Sequence, residues 1–164
     1  MRERLALMDN YLLLKLLHIL SATVLMGTGA GIAFFMLMAS RSENFAAISL
    51  TAKHVILADW VFTTPAVLVQ CITGVMLMQI LGYSYSSIWF FWVASVFTLI
   101  GLCWLPVIYI QYRLKQCAET VLEDESALTH FRRWMGLWVM LGIPAFLAML
   151  VVFWLMIFKP FPVQ

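Results

Sequence analysis

The sequence predicts an all-α fold, an integral-membrane bundle of four transmembrane helices that makes up a single domain. Three observations lead there. The 164 residues are 64% hydrophobic and 11% charged, with a mean hydropathy of +0.97. Four apolar runs each reach the roughly 20 helical residues that a hydrocarbon core about 30 Å thick requires. The longest polar stretch, about residues 112–133, leaves no room for a separate soluble catalytic domain. The formal charge of +2 speaks against nucleic acid as a partner. Cys71, Cys103 and Cys117 form no close-spaced pair, so neither a zinc site nor a disulfide framework is expected.

The first span covers about residues 11–38. Arg2 and Arg4 ahead of it imitate a signal peptide, but the apolar run continues to Met38 and carries Lys15 and His18, so it reads as an uncleaved helix. The second span is about 55–81. Gly82 to Ser87 are turn-forming and interfacial residues and make a tight connection to the third span, about 88–112. The fourth is about 134–158, closed by Lys159, Pro160 and Pro162. Trp89, Trp92, Trp134, Trp138 and Trp154 lie near span ends, at the depth amphipathic rings prefer. Pro65, Pro106 and Pro144 interrupt spans two to four; each removes a backbone donor, which either widens the bundle or is absorbed by transmembrane packing.

Orientation follows the positive charges. Arg41, Lys53, Arg113, Lys115, Arg132 and Arg133 lie on one side, against Arg2, Arg4 and Lys159, with Lys15 near a helix end, on the other. The loops 39–54 and 113–133 are therefore expected to be cytoplasmic and both termini outside, in a bacterial inner membrane.

The polar residues admitted to the spans are the candidate site. Lys15 and His18 lie three apart, with His18 about 10 Å below the outer end of its helix. A titratable group at that depth is a functional candidate, and neutral imidazole is the commonest metal ligand, haem iron included. Ala22, Leu25 and Gly29 continue the His18 face and leave space for a flat ring. The competing reading is a histidine hydrogen-bonded to a neighbouring helix, with Lys15 snorkelling to the headgroups. Gly27 and Gly31, four apart on the opposite face, have the spacing of close helix packing.

In the second span Asp59, Thr63, Ala66, Gln70, Thr73 and Gly74 return to one face, which must point into the bundle or a cavity. Thr73, Gly74 and, on the third span, Ser95 reach the depth of His18. Asp59, near the other end, is either a salt-bridge partner of Arg113, Arg132 or Lys53, or a proton-accepting or ligand-anchoring carboxylate. His54 lies on a different face from Asp59, and His130, near Glu123, Asp124 and Glu125, reads as solvated.

Three segments carry a resemblance: Tyr11-Leu-Leu-Leu-Lys15-Leu-Leu-His18-Ile-Leu, Ala58-Asp59-Trp60-Val-Phe62-Thr63-Thr64-Pro65-Ala66, and Gln70-Cys-Ile-Thr73-Gly74. With the Lys159-Pro160-Phe161 ending, they resemble an integral-membrane family known as domain of unknown function 2269. The same skeleton is more distantly similar to HemJ-type protoporphyrinogen oxidases, small four-helix membrane proteins thought to bind haem b. This resemblance implies that Lys15 and His18 match functional positions. The chain departs from the HemJ pattern in the third span, where residues 104–113 hold no histidine. A haem here takes a different sixth ligand, such as Met76 or Met149, or none.

Two functional readings result. One is a haem-b protein with a redox role: His18 is the axial ligand, Lys15 pairs a propionate, and Gln70 and Thr73 supply supporting hydrogen bonds. The other is a non-catalytic module, an accessory subunit or binder of a porphyrin, quinone or lipid, whose polar stripe with Asp59 and Thr63 seats a ligand, a partner helix or a second copy.

Overall fold

The computed structural model describes residues 2–122 and 124–163; Glu123 and the side chains of residues 2–7, Arg2 and Arg4 among them, and of Glu125 lie outside the described residues. The described residues form helices joined by short turns, with no strand among them. In chain order these are α1 (Arg2–Arg41), α2 (Phe45–Ala58), a π-helical turn (Asp59–Thr63), α3 (Thr64–Leu81), α4 (Ile88–Val121), a 3-10 turn (Glu125–Ala127) and α5 (Leu128–Phe158). The segments α2, π-turn and α3 run on as one continuous rod, so four helices are long and apolar enough to cross a membrane.

Each helix outruns its apolar span. The expected loops 39–54 and 113–133 shrink to short turns, because α2 begins at Phe45, α4 continues to Val121 and α5 begins at Leu128. Hydropathy marks only the apolar part of a helix. The rod Phe45–Leu81 has 37 residues, about 55 Å at 1.5 Å per residue, well beyond a hydrocarbon core of about 30 Å. Lys53 lies on the extension.

Local chemistry sets the ends. Asn44 caps α2 by accepting from the Ala47 N–H at 3.1 Å, and Ser87 caps α4 by accepting from the Phe90 N–H at 3.2 Å. Gly82 closes α3 at φ 64°, while the Tyr83 N–H returns to the Met78 carbonyl at 3.0 Å.

The helices pack as two hairpins joined at one end. α1 runs against α2, the π-turn and α3, and α4 runs against α5. The hairpins meet chiefly through α2 and α4, where Met36, Ile48, Ala52, Val55, Ile110, Leu114, Phe131 and Trp138 form the main core. Beyond the π-turn, α3 stays on α1 and approaches α4 and α5 only marginally. A smaller cluster, Met78, Trp89, Val93 and Leu155, gathers beneath the 82–87 connection.

The chain's last residues fold back there. The Trp89 indole N–H donates to the Leu155 carbonyl at 2.8 Å, Lys159 Nζ donates to the Tyr83 hydroxyl at 2.7 Å, and the Ser84 N–H donates to the Val163 carbonyl at 3.1 Å. Trp92 stacks on Phe161.

Candidate functional site

Two polar centres lie on the buried face of the α2–α3 rod. The first joins α1 to α3 around His18. The Gln70 amide Nε2 is 2.8 Å from His18 Nε2, and Thr73 Oγ1 is 2.8 Å from His18 Nδ1. An amide nitrogen only donates, so with this amide orientation His18 Nε2 accepts and Nδ1 carries the proton. Thr73 Oγ1 accepts a hydrogen bond from that N–H and donates its own hydroxyl to the Val69 carbonyl at 2.6 Å. Ser21, one turn along α1, donates to Gln70 Oε1 at 2.6 Å. The result is a closed network around a neutral imidazole. Gly74 lies beside it: a Cβ at that position would stand 3.4 Å from His18 Cε1, already in contact with the ring.

Lys15 does not join this centre. It is exposed, and its ammonium lies 5.7 Å from the Tyr11 ring centroid, the geometry of a lysine reaching toward the interface. Ser95, expected at the same depth, is exposed on α4 and makes no hydrogen bond to His18. Gly27 and Gly31 do not form the close packing seam their spacing predicts: among the described residues, a Cβ at either would meet nothing within 4 Å.

A haem ligated by His18 needs a free ring nitrogen and an open slot beside the ring. Both nitrogens are engaged by α3 side chains, and Gly74 lies beside one edge of the ring. As arranged, these residues do not fit axial ligation.

The second centre is at the π-turn. Asp59 is buried, and its Oδ2 accepts from Gln111 Nε2 on α4 at 2.6 Å. The expected ion pair with Arg113, Arg132 or Lys53 does not form. Arg113 instead lies over the Trp134 ring and donates to Gln116, while Lys53 and Arg132 are exposed. The reason is helix phase: α4 turns Gln111 toward Asp59, while Arg113, two residues on, falls on another face of the helix with its Nε buried away from the carboxylate. Gln111 is the functional candidate that sequence reasoning missed. Its signal was an uncharged amide in an otherwise apolar run just before the end of the predicted third span.

A groove of about 580 Å³ runs along α4 below the 82–87 connection, lined by Tyr85, Phe90, Ser95, Thr98, Leu99 and Leu102 among others. Tyr85 roofs it, edge-on to Phe90 at 5.4 Å.

The fold and these centres can now be set beside known proteins. The model of one family, described as predicted integral membrane protein (DUF2269), matches residues 12–160. The chain belongs to that family. The match spans His18, the π-turn, Gln111 and the groove alike. No curated protein and no solved structure matches the chain. The likeness of this DUF2269 protein to the HemJ-type enzymes draws no support from these comparisons.

Proposed function

We propose that this DUF2269 protein is a non-catalytic membrane module that binds a carbonyl-bearing lipophile of the quinone class in the groove along α4. One observation carries the reading. Ser95 and Thr98 are exposed in that groove and make no hydrogen bond within the protein, whereas Thr23, Thr51 and Thr120 each donate back to the carbonyl four residues earlier. A hydroxyl facing hydrocarbon without a partner is costly. Ser95 lies seven residues into α4, about 10 Å along the helix. Two free donors at that depth suit ring carbonyls carried below the headgroups. Phe90, Leu99 and Leu102 supply the apolar walls, and a volume of about 580 Å³ falls in the range of small-molecule sites.

The experiment is extraction and mass spectrometry of lipophiles from detergent-purified protein, followed by titration of a short-chain quinone into nanodiscs, read by quenching of the tryptophans. The wild type should retain quinone and quench saturably, and the paired variant Ser95→Ala, Thr98→Val should lose most of both. Equal retention and quenching in the two proteins would remove the proposal.

The same preparation tests haem b, whose ligation requires Gln70 to move away from His18 Nε2. The expected spectrum is flat in the Soret region, even from cells fed a haem precursor. A Soret band that His18→Ala abolishes would replace the quinone reading with the redox one. The charge asymmetry supports a bacterial inner-membrane placement with the 42–44 and 122–127 turns on the cytoplasmic side.

A further inference from the structure

Asp59 has an unusual environment for a carboxyl group in a membrane protein. It is 5% exposed, and Gln111, its neutral partner, is 3% exposed. Among the described residues no basic group lies within ion-pair distance of it, and the ion pair found there joins Lys115 to Glu119. The charged and titratable groups on the elements packed around it all lie elsewhere. On α2, Lys53 and His54 are exposed; on α4, Arg113 lies over Trp134 and donates to Gln116, Lys115 pairs with Glu119, and the Tyr112 hydroxyl accepts from Trp60 Nε1; on α1, His18 is engaged by Gln70 and Thr73 and no charged residue lies between Lys15 and Arg41; and α3 carries no charged residue. A buried carboxylate with a single neutral donor is strongly disfavoured.

Two further oxygens at this level lack partners. Gln111 Oε1 and Thr63 Oγ1 are both buried without a hydrogen bond. The backbone explains the second. A helical threonine normally donates to the carbonyl four residues back, here that of Asp59. In the π-turn that carbonyl already accepts from the Thr64 N–H and from Thr64 Oγ1 at 3.0 Å. Pro65, next in sequence, has no N–H and leaves another carbonyl without its ladder donor. Single π-turns of this kind recur at functional sites. Asp59 is thus left with one neutral donor and no cation in ion-pair contact, beside an amide oxygen and a hydroxyl that are unpartnered; the buried, unpartnered Arg113 Nε, two residues along α4 from Gln111, belongs to a guanidinium that lies over Trp134 and donates to Gln116.

We infer that Asp59, Gln111 and Thr63 form a binding site for one monovalent cation, a proton or a sodium ion, at the π-turn. A proton on Asp59 gives Gln111 Oε1 its missing donor and closes a carboxyl–carboxamide pair with the existing 2.6 Å bond. A sodium ion uses the same oxygens as hard ligands. Either one neutralises the carboxylate. The site lies about 33 Å along the rod from Leu81, at the far margin of the hydrocarbon core, and it bridges the two hairpins where they converge.

The test uses the full-length protein in detergent and reads its thermal midpoint in two titrations: sodium against choline at fixed pH, and pH in choline alone. Ligand at a hundredfold excess over Kd should raise the midpoint by roughly 5–10 °C. A rise with sodium identifies the metal ion, and a rise on acidification identifies the proton. In Asp59→Asn, whose amide donates to Gln111 Oε1 and accepts from Gln111 Nε2, the response should vanish and the basal midpoint should equal or exceed that of the wild type. Infrared difference spectra of wild-type protein carrying isotope-labelled aspartate give a second readout that needs no variant: a buried carboxyl signal that changes with sodium or pH. A wild type whose midpoint and aspartate signal are indifferent to both ions overturns the inference, as does an Asp59→Asn protein that keeps the full response.

Discussion

His18 holds α1 and α3 together by using every hydrogen-bonding atom of its ring. Interhelical hydrogen bonds in membranes are individually modest, about 0.6 kcal/mol on average and up to about 1.7. Thr73→Ala should therefore destabilise the protein by about 1 kcal/mol, read as a lowered unfolding midpoint in detergent. His18→Ala combined with Thr73→Ala should cost less than the sum of the two, since they share one bond. Gly74→Leu should cost more than either, because its side chain must displace an imidazole that already lies at contact distance. If Gly74→Leu were neutral, α1 and α3 would not be packed through this ring. Lys15, three residues away in sequence, is exposed over the Tyr11 ring and takes no part in this network.

At the scale of elements, the second rod shows how one residue type reshapes a helix without breaking it. Pro65 stands in the first turn of α3, where its missing N–H is tolerated, and the turn before it widens to π. The polar face stays inward through this change: Asp59, Thr63, Ala66 and Thr73 are all buried. Pro106 and Pro144 sit inside α4 and α5 with no break in either helix. The chain's end behaves as an element of its own, tied to the 82–87 connection by Trp89 and Lys159. Trp89→Phe removes a buried bond to the Leu155 carbonyl and should cost about 1–2 kcal/mol. Residues 159–163 should then exchange amide protons and admit proteases faster than in the wild type. Unchanged exchange in that segment would mean that the tail is held by other contacts.

For the whole molecule, stability is concentrated at the end bearing the 42–44 and 122–127 turns. Leu114 is fully buried in the main core, whereas Leu99 in the groove is 47% exposed. Leu114→Ala should cost about 2–5 kcal/mol through the cavity it leaves. Leu99→Ala should cost much less, since that side chain has fewer protein neighbours to lose. Comparable losses from the two would contradict the convergence of the hairpins at one end. Such a layout leaves the opposite half free to hold a guest between helix and lipid, while the bridged half carries the Asp59–Gln111 pair.

The sequence by itself determined the class of the protein, its four membrane-crossing helices and the inward face of the second rod, because apolar length and helical periodicity are local properties. It also placed Thr73, Gly74 and His18 at one depth, since rise per residue is constant. Tertiary structure alone decided the partners. Periodicity says which way a side chain points, not which helix answers it, so Gln111 instead of an arginine meets Asp59, and Gln70 occupies the nitrogen a haem would need. Gly27 and Gly31 have the spacing of a packing seam but make no close helix contact among the described residues, and the helices continue beyond the apolar spans that the sequence marks. The Asp59–Gln111 pairing depends on how the two hairpins meet, through long-range packing among Ile48, Ala52, Ile110 and Leu114, and the His18–Gln70 pairing on how α1 lies against α3; neither has a local signature in the chain.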